Sequence, residues 1–159
     1  MPQLIPNLWF DDQALEAAEL YISVFPNSEI TRVTHYTEAG PGPAGSVITV
    51  EFRLDGQPFV GINGGPAFTF SEAVSFEIAC ADQDEVDRYW ALLTEGGEES
   101  QCGWLKDRYG LSWQVVPSEL SELIADDDPE RAARVTAAML SMVKLDLATL
   151  RAAANGPEA

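Results

Sequence analysis

The chain has 159 residues, 46% of them hydrophobic, which suits one domain with a substantial core. Its formal net charge of -17 sets it against nucleic acid and anionic membrane surfaces, whose phosphates it would repel. No apolar run nears the ~18 residues of a bilayer crossing, and the N-terminus lacks the basic and apolar regions of a secretory signal. A cytoplasmic location with no membrane partner is therefore expected, and Cys80 and Cys102 are not a disulfide framework.

In chain order, residues 3–10 predict a strand with Ile5, Asn7 and Trp9 on one face. Asp11 or Asp12 is placed to cap a helix through Leu15, Ala18, Tyr21, Ile22 and Phe25, which Pro26-Asn27 ends. Residues 28–36 predict a strand and residues 38–45, rich in Gly and Pro, a loop. Residues 46–54 and 58–63 predict a hairpin around Asp55-Gly56. The order is β-α-β-β-β.

After a connector, the order repeats. Residues 73–80 predict a strand, and Asp82 starts a helix through Val86, Tyr89, Trp90 and Leu93 that Gly96-Gly97 ends. A short strand follows over residues 99–102. The run Cys102-Gly103-Trp104-Leu105-Lys106-Asp107-Arg108-Tyr109-Gly110-Leu111-Ser112-Trp113-Gln114-Val115-Val116-Pro117 then predicts two strands joined by a turn over residues 107–110. In the second of these strands Leu111, Trp113 and Val115 share one face and Ser112, Gln114 and Val116 the other. Beyond Pro117, Ser118 is placed to cap a short helix, Pro129 opens one with an apolar face through Val135, Met139 and Met142, and Asp146 caps a last one. The acidic run from Glu119 to Glu130 reads as a solvated helical surface.

Single residues carry alternatives. Trp104 and Trp113 either stack a flat ligand or fill the core. Cys102 is a nucleophile or a small buried hydrophobe, with no histidine near it in sequence. His35, the only histidine, is a general base or a structural strand residue. Gln114 and Asn7 suit hydrogen bonds to a ligand, because inward amides need partners. Gly64-Gly65-Pro66 leads to further loop and strand rather than a helix, so it does not form the cofactor turn that an S-adenosylmethionine-binding domain needs.

The repeated β-α-β-β-β order and the Cys102–Pro117 run resemble the vicinal oxygen chelate superfamily, and within it the PhnB-like branch often labelled "3-demethylubiquinone-9 3-methyltransferase". Pro6-Asn7-Leu8-Trp9-Phe10, Phe68-Thr69-Phe70-Ser71-Glu72-Ala73 and Glu85-Val86-Asp87-Arg88-Tyr89-Trp90 carry the same resemblance. It implies an α+β fold of paired β-α-β-β-β modules, residues 3–64 and 73–117, each a cup-shaped mixed sheet, with a helical extension over 118–155. It also implies a homodimer. Enzymes of the superfamily hold a divalent metal from first and last strands of the modules. Those positions fall near Asn7 and Ser75 and on Gln114, a neutral set that lacks the imidazole, thiolate or carboxylate donors of good sites. The resulting expectation is a small organic ligand in a metal-free, aromatic-lined cavity touched by Asn7, Trp9, His35, Ser75, Cys102, Trp104, Trp113 and Gln114, with no cofactor. The rivals are a metal-dependent isomerase, dioxygenase or thiol transferase, and an interaction dimer without an open cavity.

Overall fold

A computed structural model describes residues 1–157. Its chain divides into two compact units, residues 1–70 and the residues from Ser71 onward, and the C-terminal helices fall in the second.

In the first unit, β1 is Asn7–Phe10, α1 Ala14–Val24, β2 Glu29–His35, β3 Val47–Leu54 and β4 Gln57–Asn63. The sheet order is β1-β4-β3-β2, with β1 parallel to β4 and the other pairs antiparallel. Asp55 and Gly56 turn the β3–β4 hairpin with φ of 46° and 80°, the left-handed pair a two-residue hairpin requires. α1 lays Ala14, Ala17, Ala18, Tyr21 and Val24 against a sheet face carrying Leu8, Phe10, Val50, Phe52 and Phe59, all buried.

Two expectations are corrected here. β1 begins at Asn7 rather than at residue 3, and Leu4 and Ile5 before it are exposed. Pro2 and Pro6 have no N–H to donate to a ladder, so only the Pro6 carbonyl joins it, accepting from Val60 N–H. Neither Asp11 nor Asp12 caps α1. Its N-cap is Gln13 without a side-chain bond, and Asn63, at the end of β4, accepts the Ala14 N–H through Oδ1 at 2.8 Å.

In the second unit, β5 is Phe76–Cys80, α2 Gln83–Thr94, β6 Glu98–Glu99, β7 Trp104–Lys106 and β8 Ser112–Pro117. The order β5-β8-β7-β6 repeats the first sheet, again with the first strand parallel to the last. Asp82 caps α2 by accepting the Glu85 N–H at 3.0 Å. α2 packs on β5, β7 and β8, and Leu105, Trp113 and Val115 are buried on their strands. β5 starts at Phe76, later than predicted, because Ser71–Val74 close a turn in which Val74 N–H donates to Ser71 O. β6 ends at Glu99, earlier than predicted. Gln101 accepts the Trp104 N–H, and Cys102 and Gly103 take φ of 58° and 83°, so the chain turns where a strand was expected.

Three helices follow: α3 Leu120–Ile124, α4 Pro129–Leu140 and α5 Leu147–Asn155. Asp146 caps α5 as predicted, and α4 opens at Pro129 as predicted with Asp128 as its cap, whereas α3 starts from Glu119 with no side-chain cap and Ser118 does not serve it. The apolar face of α4 packs within the unit. Val135 is fully buried with Leu120, Leu145, Leu150 and Ala154, and Met139 and Met142 pack against that cluster. No helix among the described residues is long and apolar enough to cross a membrane.

Candidate functional site

The β-strand period of two sorts the second sheet into two faces. Cross-strand register places Phe76, Trp113 and Leu105 side by side on the buried face. It places Glu77, Gln114 and Trp104 side by side on the other, with Ser112 opposite Lys106 one pair further along. On that second face Gln114 Nε2 donates to Ser75 Oγ at 2.8 Å. Nothing among the described residues donates to the Gln114 amide oxygen, and the half-buried Trp104 indole N–H makes no hydrogen bond among them. Lys106 is held by Glu72 at 2.5 Å. That hydrogen bond raises the Lys106 pKa and lowers that of Glu72, so the pair stays ionised. Ser112 is 1% exposed, and its hydroxyl has no partner among the described residues.

The structure therefore brings together three residues read from the sequence as ligand contacts: Ser75, Trp104 and Gln114. It commits the other tryptophans elsewhere. Trp113 is 3% exposed on the opposite face, its indole N–H donates to Asp107 Oδ2 at 2.9 Å, and its ring lies 5.8 Å from Phe76. Trp9 donates to Gly65 O at 2.9 Å and meets Phe68 edge-on, under a connector so close that a Cβ on Gly64 would fall 2.1 Å from its ring. Cys102 is half-buried in the turn before β7, where its N–H donates to Met142 O. Asn7 and His35 belong to the first unit and are exposed. Asn7 donates to Ile5 O, and His35 ends the edge strand β2 opposite Val47. Lys106 and Ser112 were missed by the sequence reading. The i, i+2 spacing of Ser112 and Gln114 was the available signal; the Lys106 register was not.

The first unit holds a separate groove of about 860 Å³ between the start of α1, the loop after β2 and the end of β4. Asp11, Asp12, Glu16 and Glu19 line it, with Tyr36 and Asn63. Tyr36 OH donates to Asn63 O, and the Asn63 side chain bonds Ala14 N–H and Val47 O, so these two side chains hold the loop in place. None of the residues predicted as ligand contacts lies in it.

A metal centre does not fit the residues at the positions where the superfamily binds one. Gln114 turns its nitrogen to Ser75, which leaves one neutral amide oxygen and one hydroxyl, without the charge that compensates a cation for lost water. Among the described residues no three His, Cys, Asp or Glu side chains gather in a metal-holding group.

Two β-α-β-β-β units, each with its first strand parallel to its last, define the vicinal oxygen chelate class. The chain belongs to the family described as 3-demethylubiquinone-9 3-methyltransferase, whose model matches residues 2–116 and so stops short of α3–α5. The PhnB protein of Bacillus cereus is 34% identical, with a TM-score of 0.67 over 73% of this chain and 99% of that one. Protein PA1353 of Pseudomonas aeruginosa shares the fold at 19% identity and a TM-score of 0.60, covering 72% and 96% of the two chains. The fosfomycin resistance protein FosX of Listeria monocytogenes does so at 16% and 0.52, covering 76% and 94%. No curated protein matches the chain. As for the activity in the family's description, Gly64 and Gly65 lie between β4 and β5, and the next helix begins only at Gln83.

Proposed function

We propose that this protein binds a small organic molecule on the Gln114 face of its second unit, and does so without a metal. The observation that carries the reading is the Gln114–Ser75 hydrogen bond beside an uncommitted Trp104 indole. An aromatic surface with a few fixed polar groups is the usual make-up of a small-molecule site. The neutral donor set favours binding over the metal-dependent chemistry of the superfamily's enzymes. We also carry forward the homodimer that family membership suggests, which light scattering at micromolar concentration tests directly.

The test of the site is NMR of the side-chain N–H groups during titration with a panel of flat aromatic compounds. The Trp104 indole and Gln114 amide signals should move together. Shifts confined to residues of the acidic groove around Tyr36, or a panel that leaves both signals still, would overturn the assignment. Adding zinc or manganese in place of the panel separates the rival reading: one tightly held equivalent, lost in Gln114→Ala, would favour the enzyme.

A further inference from the structure

We propose that Ser112 is a ligand contact, and that the ligand is a flat, neutral molecule presenting a carbonyl-type acceptor next to an N–H or O–H donor. This rests on the reading of the Gln114 face given above. The Ser112 hydroxyl is the one buried side-chain polar atom without a partner among the described residues. Buried polar groups are nearly always satisfied, so an orphan calls for a reason. Ser112 lies two residues from Gln114 on β8, hence on the same face. Its O–H can donate. Gln114 Oε1 can accept, and Ser75, which accepts from Gln114, retains its own O–H. One donor and one acceptor side by side on one strand match a primary carboxamide or a lactam edge. Trp104 supplies the flat surface.

Charge decides against an anionic ligand, and a carboxamide meets the donor and acceptor without a charge. Lys106 is the cation beside Ser112, and Glu72 already neutralises it. Glu77 adds an exposed carboxylate next to Gln114, and the whole chain carries -17. An anionic ligand meets repulsion both locally and at long range. Ser112 is buried, so a ligand reaches it only through side-chain movement, and its cross-strand neighbour Lys106 is the long side chain placed to move. The ion pair that holds Lys106 is exposed on the Glu72 side, and such pairs contribute little.

Benzamide and benzoate are the probes, one neutral and one charged on the same ring. Benzamide should move the Trp104 indole and Gln114 amide signals and bind more tightly than benzoate. Ser112→Ala should weaken benzamide about tenfold without lowering the melting temperature, because deleting an unsatisfied hydroxyl removes a desolvation cost. A Ser112→Ala protein that binds benzamide as tightly as the wild type, or a preference for benzoate, overturns the inference while the moving signals keep the site. Benzamide that moves neither signal also overturns it. The site itself falls only if the wider aromatic panel is silent as well.

Discussion

Asp107 holds Trp113 from inside a turn. Its Oδ2 accepts the indole N–H at 2.9 Å, while Oδ1 accepts the backbone N–H groups of Tyr109 and Leu111 at 2.8 and 3.1 Å. The carboxylate is 3% exposed, so the β7–β8 turn and the buried face of the sheet share one polar anchor. Asp107→Ala would strand three donors. The expected loss is ~3 kcal/mol or more in urea unfolding, with a changed tryptophan emission in the folded state. A variant within ~0.5 kcal/mol of the wild type would show that water replaces the carboxylate freely.

Gly103 is the second anchor of that hairpin. Its φ is 83°, and a Cβ there would lie 2.7 Å from Val115 O and 3.0 Å from Leu145 Cδ1. Gly103→Ala combines left-handed strain with overpacking, so it should cost ~3 kcal/mol. Gly110, also at positive φ but with open space around its would-be Cβ, is the control. Gly110→Ala carries only the strain and should cost ~1–2 kcal/mol. Equal losses in the two variants would refute the packing part of the argument.

The two cysteines should differ in reactivity. Burial, with Glu85 and Asp82 nearby, pushes the Cys80 thiol up to about 11. Iodoacetamide at pH 8 should leave Cys80 unmodified in the native protein and label it once the chain unfolds, as read by mass spectrometry. The raised value also carries a pH dependence. A folded pKa above the unfolded one stabilises below the ordinary thiol range and loses that contribution as pH climbs toward 11. Cys80→Ala should flatten the fall in stability between about pH 9 and 11. Rapid labelling of native Cys80 would contradict its burial.

Acid should loosen the helical extension before the first unit. Hydrogen bonds from Lys144, Arg151 and Thr149 lower the pKa values of Asp87, Glu119 and Asp146, and the Asp128 N–H lowers that of Asp126. Carboxyls depressed in the folded state stabilise it above their unfolded pKa, and that contribution disappears as pH falls through the folded values. Below about pH 4, amide exchange in α4 and α5, corrected for its intrinsic rate, should rise ahead of exchange in β3 and β4. The reverse order would show that these exposed pairs do not govern acid stability.

The parts of the fold legible in the sequence are those fixed by neighbouring residues. Asp55-Gly56 needs no distant partner to make a hairpin, Asp82 and Asp146 cap helices that begin at once, and Pro129 opens one. The misplaced features are set by contacts far along the chain. Asn63 caps α1 from 49 residues away, which no inspection of Asp11 and Asp12 discloses. The candidate site divides in the same way. Alternation put Ser112 and Gln114 on one face, and the family positions put Ser75 and Gln114 in one site. The same alternation sends Trp113 to the other face, and only the register of β7 against β8 brings Trp104 to Gln114.

The N–H groups of Cys102 and Gly103 donate to Met142 O and Val143 O, at 2.9 and 2.8 Å. The residues that shape the bend ahead of Trp104 are thus braced by a segment outside the family match, which ends at residue 116. The extension acts as a splint, and the second sheet is not portable without it. Transplanting residues 71–117 into another scaffold would carry the motif but leave two peptide donors seeking new acceptors. The pitch of the Trp104 ring would then be set by the host.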